Sequence, residues 1–129
     1  MSDPQTPESI DYNGLMQANL VRVFGEQDPD KRLAAIRDLY AEDAVLNEPH
    51  ASAKGHAAIN DAVSSLLAGL PPAFVFRPIG AAMGHHQIGR LKWSLGPPGG
   101  PADVTGMDIA CFKGSRIQWL FVFLESERG

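Results

Sequence analysis

The stretch ADVTGMDIACFKGSRIQWLFVFLE, residues 102 to 125, decides the fold. Its apolar residues recur with a period of two, so it reads as two strands joined near KGS, residues 113 to 115. The first strand carries Val104, Gly106, Asp108, Ala110 and Phe112 on one face. Thr105, Met107, Ile109 and Cys111 fall on the other. The second strand is apolar on both sides, with Leu120, Val122 and Leu124 opposed to Trp119, Phe121 and Phe123. Such a strand needs two covers. One is the core. The other is expected to be a second copy of the chain, because large exposed apolar patches mark interfaces. The hairpin register stays open. A three-residue loop pairs Asp108 with Leu120, whereas a two-residue loop at Gly114 and Ser115 sets Trp119 and Phe121 beside it.

Asp108 is the first candidate for chemistry. A carboxylate among apolar neighbours is costly unless it is neutralised or hydrogen-bonded. It is either an acid of raised pKa lining a pocket or a residue that caps a loop and faces water.

Upstream, period two continues through AFVFRPI (73–79) and HHQIGRLKWSL (85–95), separated from the last pair by the loop GPPGGP (96–101). In the second of these, His85, Gln87, Gly89, Leu91 and Trp93 share the face expected to turn inward. Before Pro72 the period is 3.6. Tyr12, Leu15, Met16, Asn19, Leu20, Val23 and Phe24 form one helical stripe, in which Asn19 is an isolated amide. A second helix starts at Asp28 and Pro29 and buries Leu33, Ile36, Leu39 and Tyr40. AVLNEP (44–49) reads as a short strand stopped by Pro49. A third helix runs from about Gly55 to Gly69, with Ile59, Val63, Leu66 and Leu67 inward. Helices first and strands after them mean α+β. Residues 1–9 read as a flexible tail and residues 10–129 as a single domain.

The chain has 129 residues, a formal net charge of −4 and one cysteine, Cys111. That length suits one core. The charge argues against nucleic acid as a partner, and one cysteine allows neither an intrachain disulfide nor a thiolate zinc site. The polar, acidic start resembles no secretory signal, and no apolar run suits a membrane span. A cytoplasmic protein without membrane contact is the expectation. No G-x-G-x-x-G, P-loop or G-x-S-x-G occurs, so no nucleotide cofactor is expected. His50 and His56 near Glu48 match no ligand spacing, so no metal is expected either.

The string LYAEDAVLNEPHASAKGHAAI, residues 39 to 59, resembles the signature of the nuclear transport factor 2-like superfamily, which includes the ketosteroid isomerases and the SnoaL-like polyketide cyclases. The matching elements are Tyr40-Ala41, Asp43-Ala44, Glu48-Pro49, Gly55 and Ile59, with Asp108 and Arg116-Ile117-Gln118 in the tail. The resemblance implies a cone: a curved antiparallel sheet packed on three N-terminal helices, with an internal hydrophobic pocket and a homodimer through the outer sheet face. Ketosteroid isomerases pair a carboxylate that shuttles a proton at carbon with a protonated acid that steadies the enolate oxygen. Carried over by position, Glu48 resembles the shuttle base and Asp108 the protonated donor. Asn19 stands where the family has a tyrosine, Val63 replaces a polar aromatic, and Glu48 is one methylene longer than the family's aspartate.

The expectation is a cofactor-independent acid–base enzyme of isomerase, cyclase or dehydratase type, acting on a small apolar carbonyl compound. Glu48, Asp108 and Asn19 are its catalytic candidates. Gln87, His85, Leu91, Trp93, Leu120, Val122 and Leu124 are its candidate substrate contacts. The alternative is a non-catalytic ligand-binding or dimeric scaffolding module on the same fold.

Overall fold

A computed structural model describes residues 9–125 of the chain. The tail expected over residues 1–9 falls, apart from Ser9, outside them, as does the segment after Glu125. Helix α1 (Tyr12–Ala18) runs on into a π-helical turn at Asn19–Phe24, and α2 spans Pro29–Leu39. Strand β1 (Tyr40–Glu48) and β2 (Ala51–Lys54) precede α3 (His56–Ala68). Strands β3 (Val75–His85), β4 (Ile88–Gly96), β5 (Val104–Lys113) and β6 (Arg116–Leu124) complete the chain.

The helix starts are chemically marked. The Asp11 side chain accepts from the Gly14 N–H at 3.0 Å, and the Asp28 side chain accepts from the Asp30 N–H at 2.9 Å, with Pro29 next in line. Leu39 ends α2, and Tyr40 turns directly into β1 with extended backbone. Tyr40 therefore belongs to the strand and not to the helix stripe.

The six strands form one sheet in the order β2-β1-β6-β5-β4-β3. The sheet is mixed. β1 pairs parallel with β6, and the remaining neighbours are antiparallel. The expected all-antiparallel sheet is corrected on this point, because β6 returns beside β1 after the whole β3–β5 meander. β2 has no alternating apolar pattern to announce it; its four residues pair with the end of β1 across the turn at Pro49 and His50.

Irregular pairing bends the sheet. In β3 the pairing passes from Ile79–Lys92 to Met83–Arg90, so four steps on one strand face two on the other, and Gly80 sits at φ 75° in the excess. Helix α1 grips that bulge. The Asn13 Oδ1 accepts from the Ala82 N–H at 2.8 Å, and Gln17 Nε2 donates to the Gly80 carbonyl at 3.3 Å. The core lies between the concave face and the helices. Met16 of α1, Leu20 and Val23 of the π-helical turn, Ile36 of α2 and Ile59 and Val63 of α3 are buried against Leu91, Ala110, Ile117 and Leu120.

Arg32, on α2, is a buried cation that the apolar stripe does not reveal. Its guanidinium donates to the Glu26 and Gln27 carbonyls, to Asn60 O and Oδ1, and to Ser64 Oγ at 2.6 Å. These bonds fasten α2 to α3 and satisfy the charge with neutral oxygens.

Candidate functional site

β5 and β6 set the site, and the hairpin between them settles its chemistry. Lys113 pairs with Arg116, so the turn has two central residues, Gly114 and Ser115, with Gly114 at φ 61°. That register alone would turn the aromatic row inward. A bulge intervenes: Phe112 pairs with Ile117, but Cys111 pairs with Trp119, and Gln118 is the extra residue. Asp108 consequently faces Val122, and Ala110 faces Leu120. Leu120 and Val122 share the concave side with Asp108, as the longer loop would have placed them, though neither simple register is the real one.

A cavity of about 150 Å³ opens on this concave side. Asp108, Trp93, Leu46, Leu20 and Val63 are among its lining residues, and so are Glu48, Pro49, Leu66 and Leu124. The first group is buried. Leu66 and Leu124 are exposed and Glu48 is half-buried, which places them at the opening. Glu48 ends β1 one residue beyond the Asn47–Phe121 pair, and Val122 pairs with Asp108. The two carboxylates thus flank Val122 from the strands on either side of β6. Two strand spacings put their backbones about 10 Å apart.

Asp108 is 2% exposed. Burial pushes its carboxyl up to about 7, and the hydrogen bond from Trp93 pulls weakly the other way. Trp93 Nε1 donates to Asp108 Oδ1 at 2.9 Å. The indole reaches that oxygen because Gly106, its partner across the ladder, has no side chain; a Cβ there would lie 2.3 Å from Trp93 Cζ2. Glu48 Oε1 accepts from the His50 N–H at 3.2 Å across the β1–β2 turn.

Asn19 is fully buried, one residue before the cavity-lining Leu20, but does not itself line the cavity. Tyr40 donates its hydroxyl hydrogen to Asn19 Oδ1 at 2.6 Å, and Asn19 Nδ2 has no hydrogen-bond partner among the described residues. Burial raises the Tyr40 phenol well above its usual range, Asp108 adds to the rise, and the Asn19 bond opposes it. Tyr40, Asn19, Trp93 and Asp108 are therefore the polar groups threaded through this part of the core. Tyr40 was missed in the sequence as a polar participant because its helical spacing reads as plain packing.

Of the candidate substrate contacts, Trp93, Val122 and Leu124 line the cavity. Leu91 and Leu120 are buried beneath it and do not. His85 and Gln87 are displaced. β3 runs to His85, and His86 and Gln87 form the two-residue turn to β4, with φ of 51° and 69°. Both angles are positive, as a type I′ turn requires, yet neither residue is the asparagine or glycine that normally announces one. All three side chains are exposed, and none lines the cavity. His56, at the start of α3, faces the Tyr40 and Ala41 carbonyls at 3.0 Å through Nε2, an anchoring contact. Among the described residues, no group of three or more His, Cys, Asp or Glu side chains is placed to hold a metal ion. No helix of the described residues is long and apolar enough to cross a membrane.

The SnoaL-like domain family matches residues 18–119. No curated protein matches the sequence. Among solved structures, a candidate isomerase of the SnoaL-like family from Agrobacterium tumefaciens superposes with a TM-score of 0.81 at 23% identity, covering 88% of this chain and 97% of that one. A candidate polyketide cyclase from Sinorhizobium meliloti gives 0.64 at 19% identity, covering 84% and 93%. A candidate ketosteroid isomerase from Kribbella flavida gives 0.67 at 12% identity, covering 92% and 80%. At these identities the likeness is one of fold.

Proposed function

The chain belongs to the SnoaL-like domain family, and on that premise we propose that it is a cofactor-independent acid–base enzyme acting on a small apolar carbonyl compound. The observation that carries the reading is Asp108, a carboxyl held neutral to about pH 7 inside an apolar cavity whose opening carries a second carboxylate, Glu48. Glu48 removes a proton from the carbon beside the carbonyl. The electron pair moves to the carbonyl oxygen, and the protonated Asp108 donates a hydrogen bond to the oxyanion that forms. With Oδ1 already accepting from Trp93, the proton on Asp108 resides on Oδ2. Glu48 then returns its proton to the same or a conjugated carbon. Asn19 lies behind the cavity wall with Tyr40, and the proposal assigns it no contact with substrate.

The measurement is turnover and solvent deuterium uptake on a panel of enolisable ketones. Asp108→Asn and Glu48→Gln should each lower the rate by about 10²- to 10⁴-fold while leaving the fold intact. The wild-type rate should decline above about pH 7, as Asp108 loses its proton. A second reading is a ligand-binding module, favoured by the Glu48–His50 contact, in which Glu48 is a turn residue at the rim. Ketones that bind but never exchange, in wild type and both variants alike, would select that reading.

A further inference from the structure

A second cavity, of about 160 Å³, lies where the π-helical end of α1 meets the C-terminal end of α3 and the start of β3. It shares Phe24, Leu70 and Phe76 with the cavity that holds Asp108. The two spaces therefore have a common wall. That wall is mostly ring. Phe24 and Phe76 meet edge to face with centroids 6.0 Å apart, and Phe76 meets Trp93 the same way at 5.5 Å. Trp93 in turn holds Asp108. A continuous row of aromatic rings thus leads from the buried carboxyl to the second cavity.

Phe76 is only half-buried, and β3, which carries it, is the last strand of the sheet, paired on one side only among the described residues. Its ring has room that a core ring lacks. We propose that the two cavities are lobes of one bipartite binding site, with Phe76 as the movable partition. The inner lobe takes the reacting ring and carbonyl. The outer lobe takes an apolar arm of the same molecule. The substrate class is then a carbonyl-bearing ring extended by an alkyl chain or a second ring. The inner lobe alone matches a single ring, since a 150 Å³ apolar cavity holds one benzene; the outer lobe is of similar volume, with Gln27 set among Val21, Leu67, Pro71 and Phe74 in its lining. This inference rests on the proposed carbonyl chemistry for the orientation of the ligand, but not for the existence of the two lobes.

The test is the affinity of the full chain for n-alkyl phenyl ketones of increasing length, beside n-alkylbenzenes that lack the carbonyl. Wild-type affinity should rise about fourfold per added methylene until the outer lobe is full. Val21 lines only the outer lobe and is 57% exposed, so Val21→Trp can fill that lobe without disturbing the core. The variant should bind acetophenone as the wild type does and lose the gain with length. Phe76→Leu, which opens the partition, should extend the gain to bulkier arms. If Val21→Trp follows wild type along the whole series, or if wild type gains nothing beyond acetophenone, the bipartite site is overturned. Length-dependent gain for alkylbenzenes, lost in Val21→Trp, with no preference for ketones would retain the two lobes and sink the carbonyl reading. Failure of every member of both series to bind would overturn both.

Discussion

Asp108 links folding to pH through one proton. Burial raises its carboxyl from 3.8 to about 7. Between those values the folded protein keeps a proton that the unfolded chain has released. Stability is therefore complete below the unfolded value and is lost as pH rises through about 7. The difference between those two values corresponds to about 4 kcal/mol. Asp108→Asn keeps an oxygen for the Trp93 N–H and carries no charge at any pH. Its Tm should exceed that of wild type at about pH 8 and converge with it at about pH 4; parallel curves would show that Asp108 is not buried in solution. The anomaly of an acid on an apolar face was legible in the sequence, because alternation needs only local information. The partners that answer it were not. Trp93 lies on another strand, and its approach depends on Gly106, whose role emerges only when β4 and β5 are paired. Arg32 was equally hidden, since its carbonyl acceptors come from the α1–α2 connection and from α3.

Element boundaries failed in the sequence where turns lacked their usual residues, and held where they had them. Asp28-Pro29 and Gly69 mark helix ends as expected, whereas His86-Gln87 makes a turn that its composition conceals. That turn is why His85 and Gln87 left the pocket. The β5–β6 hairpin is the opposite case, in which local chemistry offered two registers and a bulge at Gln118 supplied a third. A bulge is decided by what must be buried on each side, here the concave face against the aromatic row, and not by the turn residues. The β4–β5 pairing invites a direct test. Adding a methyl in Gly106→Ala would put Cβ 2.3 Å from Trp93 Cζ2 and 2.7 Å from the Phe123 carbonyl. The ring must shift, and Asp108 then loses its donor. Denaturant unfolding should show a loss of about 1–3 kcal/mol, with a change in tryptophan emission that a change at an unconnected surface glycine such as Gly99 would not produce. Unchanged emission with unchanged stability would mean that Trp93 does not rest on Gly106.

At the scale of the whole molecule, helices cover the concave side of the sheet, and among the described residues none covers the convex side. Trp119, Phe121 and Phe123 run along it, and the first two stack with their rings 10° from parallel. Pairing sets Val45 beside Trp119, and Cys111, Ile109 and Met107 beside Trp119, Phe121 and Phe123 in turn. Trp119 is 43% exposed and Phe123 52%, so this is a continuous apolar strip facing water in the single chain. Monomers seldom keep such a strip uncovered, and a self-complementary face favours two-fold pairing. We infer a homodimer through it, with Arg90 and Lys92 of β4, the partners of Ile109 and Met107, flanking the contact. A stable dimer buries roughly 800 Å² on each copy. Sedimentation velocity should give twice the monomer mass of 13.9 kDa. Phe123→Lys should dissociate the dimer at micromolar concentration and leave the far-ultraviolet circular dichroism unchanged, because that side chain contributes nothing to the concave core. β6 also lines the cavity through Val122 and Leu124, on the face opposite Phe123, so the dissociated variant should still bind ketones. A wild-type chain that sediments as a monomer at 100 micromolar would remove the dimer, and the pairing of the two faces of β6 with two different tasks would go with it.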